Sequence, residues 1–211
     1  MKTSENNCRG PMRPPIEFYF DFASPYAYLA SHRIDTIAAK HGRPVAWRPF
    51  MLGIVFKTTG AQPLVTYPLK GPYAARDLAR SARLSGVPFV FPPGFPHATL
   101  AAARGFYWLE GKDEVLARRF AKAVFNAYFG EGRDVSGAEA VAAIAAALGV
   151  DRTAFEAGIQ SPAIKERLKS ETEGALAKGI FGSPFFLVDG EPFWGADRLD
   201  QVERWLANGG W

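Results

Sequence analysis

Strand-like segments sit only near the two ends of this chain. Residues 18–22 and 44–50 carry β character, residues 185–194 carry it again, and residues 51–184 between them show none. A two-stranded piece is marginal in water, because a sheet needs more strands or a covering layer before its buried face repays the cost of ordering. Neither end can therefore fold alone. The two must share one sheet around one core, which makes the intervening stretch an insertion.

The local patterns support that division. Phe18, Phe20 and Phe22 alternate with Tyr19 and Asp21, as expected of a short strand buried on at least one face. Ser24 is a favourable N-cap and Pro25 a favourable first helical residue, so a helix begins there; Tyr26, Leu29, Ala30, Ile37 and Ala38 share one face, and Gly42 stops it. The segment PVAWRPF at 44–50 is a second strand whose Pro49 marks an edge or exit. Residues 51–72 read as loop with short helical possibilities, 74–84 as helix and 86–96 as a proline-rich loop. Helices are expected over 97–110, 113–129 and 137–148, the last opened by a Ser136/Glu139 capping box and closed by Gly149. Ser161-Pro162 starts another, ending near Lys178-Gly179. Residues 185–188 and 191–194 form a hairpin about Asp189-Gly190, and Leu199, Val202 and Leu206 mark a final helix.

The order βαβ, helical block, αββα is the layout of an α/β thioredoxin-like fold with a large all-helical insertion. We expect residues 16–57 and 178–211 to form a discontinuous thioredoxin-like domain and 58–177 a helical insertion domain, with 1–15 a disordered leader. An apolar content of 48% fits a globular protein, and a net charge of +4 with interspersed signs leaves no footprint for nucleic acid or a membrane surface. The single cysteine, Cys8, excludes a disulfide scaffold and a cysteine-based metal site. His32, His41 and His97 lack metal-ligand spacing, and no apolar run reaches the roughly 20 residues of a membrane span, so a cytoplasmic protein is expected.

Four stretches, in this order, carry a family resemblance: Phe20-Asp21-Phe22-Ala23-Ser24-Pro25-Tyr26-Ala27-Tyr28-Leu29-Ala30, the segment PFMLGIVFK ending at Lys57, Gly179-Ile180-Phe181-Gly182-Ser183-Pro184-Phe185-Phe186, and Phe193-Trp194-Gly195-Ala196-Asp197-Arg198-Leu199. Together they resemble the 2-hydroxychromene-2-carboxylate isomerases, which group with kappa-class glutathione transferases and DsbA-like oxidoreductases. The resemblance implies a DsbA-like version of the fold, glutathione as cofactor, a small aromatic carboxylate as substrate, and a homodimer.

It also implies roles for particular residues. Ser24 and Ala27 stand where redox relatives carry the two cysteines of Cys-x-x-Cys, so disulfide exchange at this site is impossible. Ser24 becomes the catalytic residue, a donor to the sulfur of glutathione; the competing reading is a plain N-cap. The Ser183–Pro184 bond is expected to be cis, presenting the Ser183 backbone to the cysteinyl part of glutathione. Asp197 would meet the γ-glutamyl ammonium and the N–H groups of Ala196 and Asp197 its carboxylate, with Gly195 in the same cofactor-binding segment, and Trp194 either walls the pocket or lies in the core. Lys57, Ala61 and Tyr73 are placed at the substrate, Lys57 pairing with a carboxylate unless it is only a surface lysine. Ala61, and Ala98 likewise, replace an asparagine that the family pattern leads one to expect, which alters polar contacts to the substrate. Arg80, His97 and Arg104 are further pocket candidates, each with a structural role as the competing reading. A kappa-like transferase or peroxidase, and a peptide-binding protein without activity, are the alternatives.

Overall fold

The computed structural model describes residues 13–211. One mixed sheet of four strands, in the order β2-β1-β3-β4, organises it. Strand β1 (Ile16–Phe20) runs parallel to β2 (Val45–Pro49), which places Phe18 opposite Trp47. On its other side β1 pairs antiparallel with β3 (Phe185–Val188), and β3 with β4 (Glu191–Trp194). Ends of the chain 165 or more residues apart thus meet in one sheet, as the strand distribution demands. Asp189 and Gly190 both take positive φ, +54° and +93°, the backbone that a tight two-residue hairpin turn requires.

Period-two alternation sends β1 side chains to two different layers. Phe18 and Phe20 are fully buried against Trp47, Phe106 and Phe125, in a core shared by the sheet and the helices of the insertion. Each such ring contributes about 1.5–3 kcal/mol on burial. Tyr19 points the other way, into a smaller cluster with Phe50, Val55, Ile180 and Phe185.

The helices follow their caps, with some departures from expectation. The first helix is two, α1 (Pro25–Ser31) and α2 (Ile34–Lys40). At the break, His32 and Arg33 donate to carbonyls three residues back, and the Ser31 hydroxyl donates to the Tyr28 carbonyl. The stretch read as loop contains α3 (Leu52–Thr59), which runs across the expected boundary at 57/58, and α4 (Lys70–Ser85) begins before residue 74. Next come α5 (Leu100–Glu110) and α6 (Glu114–Phe125), the latter capped by Asp113 and followed by a π turn over Asn126–Gly130. The Ser136/Glu139 capping box does not form before α7 (Ala138–Ala147). Gly137 is the N-cap, the Ser136 N–H donates to Asp134, and Glu139 pairs with Arg152. A helix absent from the sequence reading, α8 (Arg152–Gln160), starts on the Asp151 side chain, and α9 (Pro162–Ala177) on Ser161. After β4, a 3-10 turn over Ala196–Arg198 leads into α10 (Leu199–Asn208).

Most of the expected leader, 1–12 with Cys8, lies outside the described residues. Pro14, however, is tied down: its carbonyl accepts from the buried Arg43 guanidinium, which also grips both carboxylate oxygens of Asp189 at 2.8 and 3.0 Å. No described helix is long and apolar enough to cross a membrane.

Candidate active site

The end of β1 delivers the chain to the edge of the core, and Asp21 fixes the turn that leaves it. Ser24 N–H donates to the Asp21 carbonyl at 2.9 Å, which leaves Ser24 as the N-cap of α1, with φ −94° and ψ 110°. The Ser24 hydroxyl accepts from Ala27 N–H at 3.2 Å and gives its proton to the Ser183 carbonyl at 2.8 Å. Ser24 is 6% exposed. The Ser183–Pro184 peptide bond is cis, as expected. Residues 159 apart in sequence therefore face each other across one hydrogen bond.

Sequence reasoning missed the hub behind this contact. The Asp21 carboxyl is buried and accepts three donors at 2.8 Å each: Ala23 N–H, the Thr99 hydroxyl and Leu52 N–H. Its own N–H donates to Ser183 Oγ at 2.8 Å. One residue thus joins the β1–α1 turn, the first turn of α3, the N-cap of α5 and the cis-proline loop. Burial pushes the Asp21 carboxyl up, and the three donors pull it part of the way back. An acidic residue inside an aromatic run was the available signal.

The Trp194–Asp197 segment closes the other side. Pro184 C=O accepts Gly195 N–H at 3.1 Å, and the 3-10 turn packs beside α1. Gly195 has φ +113°, and a Cβ there would lie 2.4 Å from Asp197 Oδ1, so the carboxylate folds back over a residue that must be glycine. Asp197 is largely exposed. Trp194 is no core residue: it is 56% exposed, lies over Gly182, and packs edge-to-face on Phe181 at 4.9 Å. Among the described residues the N–H groups of Ser183, Ala196 and Asp197 find no protein acceptor.

The residues assigned to a substrate are more scattered. Lys57 is exposed in the last turn of α3, five residues or about 7.5 Å along the axis from Leu52, which Asp21 holds. Ala61 follows that helix, half-buried. Tyr73 is 63% exposed on α4 beside Arg80, and Arg80 is engaged by Asp77 at 2.5 Å. Asp77 also accepts from Tyr26 at 2.8 Å, joining α4 to the start of α1, and burial with that carboxylate drives the Tyr26 phenol up. His97 instead contacts Tyr128, whose phenol burial pushes up to about 12. Arg104 is half-buried, and its Nε has no partner among the described residues. A cavity of about 480 Å³ opens between the start of α4 and residues 91–95, walled by Val65, Pro72, Ala75, Phe91 and Phe95; none of the expected site residues lines it.

A thioredoxin-type sheet with a serine at the start of its first helix and a cis-proline opposite defines a thioredoxin-like protein without dithiol chemistry. The family model for the DSBA-like thioredoxin domain matches residues 15–207. A 2-hydroxychromene-2-carboxylate isomerase of Pseudomonas putida is 34% identical over 190 residues, covering 89% of this chain and 92% of that protein. The solved structure of a 2-hydroxychromene-2-carboxylate isomerase superposes with a TM-score of 0.83 at 33% identity, over 91% of this chain and 94% of the other. A kappa-class glutathione S-transferase of Caenorhabditis elegans is 27% identical, with 93% of each chain covered. The chain belongs to the DsbA-like thioredoxin family and, within it, to the 2-hydroxychromene-2-carboxylate isomerases.

Proposed function

We propose that this protein is a glutathione-dependent cis–trans isomerase acting on aromatic-catabolism intermediates such as 2-hydroxychromene-2-carboxylate, in the cytoplasm and as a homodimer. The observation that carries the reading is the Ser24–Ser183 contact on a site without cysteine. The residues present fit glutathione. Among the described residues Ser183 has an N–H without an acceptor and a carbonyl held only by a hydroxyl that can turn away, which is a peptide edge able to pair with an extended ligand. Ala196 and Asp197 add free N–H groups for a carboxylate, and the exposed Asp197 side chain adds an acceptor for an ammonium.

When bound, glutathione supplies a thiol whose reversible addition to a conjugated bond permits rotation without net oxidation. The protein's part is to hold and polarise. With the Ser183 carbonyl occupied by a peptide N–H of the ligand, the Ser24 hydroxyl would be free to turn its proton toward the sulfur. A hydrogen bond to a charged acceptor is worth about 1.5–3 kcal/mol, and a free thiol of pKa about 8.5 is mostly protonated at neutral pH without such help. Because α1 has only seven residues, the hydroxyl rather than the helix carries this role. Lys57, with no ion-pair partner among the described residues, orients the substrate carboxylate.

Spectroscopic conversion of the chromene to trans-o-hydroxybenzylidenepyruvate should require glutathione; equal rates without it refute the mechanism. The kappa-class relative keeps a transferase reading in play, and stable thioether formation with chlorodinitrobenzene at a rate exceeding isomerisation would select it. Trp194 gives a second test. A Cβ on Gly182 would lie 2.2 Å from Trp194 Nε1, so Gly182→Ala must push the indole aside. Since Trp194 is half-exposed, the stability cost should be about 1 kcal/mol, the low end for overpacking. The expected result is a severalfold weaker glutathione affinity by calorimetry with a near-normal melt. Unchanged affinity would remove Trp194 from the site. Light scattering at the expected dimer mass tests the assembly.

A further inference from the structure

We infer that the Ser183 side chain is a second hydroxyl donor to the ligand sulfur, beside Ser24. The inference rests on the glutathione reading above and adds a catalytic residue to it, where that reading uses only the Ser183 backbone.

The two hydroxyls border the same peptide unit but are in different states. The Ser24 proton is committed to the Ser183 carbonyl, and its oxygen already accepts from Ala27 N–H. Ser183 Oγ accepts from Asp21 N–H at 2.8 Å, yet its own proton meets no acceptor among the described residues. A serine oxygen has two lone pairs and one proton that rotates to suit its surroundings. Here one lone pair is used, so the oxygen is held in place while the proton stays available. Accepting a hydrogen bond from Asp21 also polarises the hydroxyl and makes it a better donor. Ser183 is only half-buried, on the loop whose backbone the glutathione reading already uses.

The consequence is an order of events. Glutathione would arrive mostly as the thiol; once its proton is lost to solvent, the Ser183 hydroxyl would offer the sulfur a donor that has no acceptor to give up among the described residues. The Ser24 hydroxyl joins once the ligand's N–H has replaced it on the Ser183 carbonyl. Both hydroxyls would then be available to the one sulfur.

The test is the pKa of bound glutathione, followed by ultraviolet thiolate absorbance, in the wild type, Ser183→Ala and Ser183→Thr. Calorimetry with S-methylglutathione, which cannot ionise at sulfur, reports whether the peptide edge survives. The charged groups on the elements around the site (Asp21 in the β1–α1 turn, Asp77 and Arg80 on α4, Lys57 on α3, Asp197 and Arg198 before α10) are unchanged in every variant. We expect Ser183→Ala to raise the bound-thiol pKa by about one unit, roughly tenfold less thiolate well below that pKa. Ser183→Thr should restore it, and S-methylglutathione affinity should stay within about twofold, a difference of only ~0.4 kcal/mol. An alanine variant that binds S-methylglutathione normally and leaves the thiol pKa unchanged overturns the inference while leaving the glutathione reading intact. Loss of S-methylglutathione binding in the alanine variant, with a threonine variant that binds normally but has a thiol pKa raised above the wild-type value, makes the hydroxyl structural and overturns it too. Absence of any glutathione binding by the wild type overturns both.

Discussion

Asp21→Ala is expected to destabilise the protein by roughly 3–5 kcal/mol, the largest effect of any single substitution at the site. The wild-type carboxyl satisfies Ala23 N–H, Leu52 N–H and the Thr99 hydroxyl, all at 2.8 Å in a buried setting. Each buried donor left unpaired costs roughly 1–3 kcal/mol. Relief from burying a carboxyl that no cation among the described residues contacts offsets part of the sum, which keeps the net below the upper limit. Asp21→Asn should cost less, since its amide oxygen still accepts from two of the three donors while its NH₂ faces the third. Urea denaturation gives both numbers; an alanine variant within about 1 kcal/mol of the wild type, less than even one such donor typically costs, would show that water replaces the carboxyl freely.

The same residue gives a pH signature. Burial raises the folded carboxyl above its ordinary value of 3.8, so the native state holds this proton more tightly than the unfolded chain. The contribution of Asp21 to stability is therefore fully present below 3.8 and is lost as the pH rises through the folded value. Compared with Asp21→Asn, in which other carboxylates titrate alike, the wild type should gain its greatest advantage in acid and lose part of it toward neutrality. A difference that grows with pH would contradict the burial account.

How far the sequence could be read depends on which interactions are local. The strands, the Asp189-Gly190 turn and the Ser24-Pro25 helix start announce themselves through period, cap chemistry or backbone needs of adjacent residues, though β1 lies two residues earlier than 18–22 and leaves Phe22 in the turn; the cis Ser183–Pro184 bond was implied by the resemblance, not by local sequence. The helix break at His32 was not visible, because it carries no glycine or proline and arises from i−3 bonding. Helix α8 was missed although Asp151 caps it, since Gly158 looks like a breaker; its hydrogen is needed because a Cβ there would sit 2.0 Å from the Trp108 ring nitrogen. The capping box at Ser136 failed for a similar reason: Asp134 competes for the Ser136 backbone. At the site, Ser24 was legible because it lies within its own cap. Asp21 was not, because its three partners come from residues 23, 52 and 99, and only folding makes them neighbours. The placing of Lys57 and Tyr73 beside a ligand had no local pattern behind it and came from the resemblance alone.

Ser24→Ala should slow isomerisation roughly 10- to 100-fold, the equivalent of a charge-assisted hydrogen bond of about 1.5–3 kcal/mol. The difficulty is that Ser24 is also a cap, and alanine at an N-cap costs about 1 kcal/mol of stability. Glycine separates the roles, because it replaces serine at an N-cap for only a few tenths of a kcal/mol while lacking the hydroxyl. The Ala and Gly variants should therefore melt at different temperatures yet turn over at the same reduced rate. Both should also raise the pKa of bound glutathione, since the Ser183 carbonyl, relieved of its hydroxyl partner, remains free for the ligand N–H and binding itself persists. If instead turnover tracks melting temperature, with glycine near wild type and alanine below it, Ser24 acts only by holding α1 in place. A matched loss of rate in two variants of unequal stability is what a hydroxyl aimed at sulfur requires, and a cap alone cannot produce it.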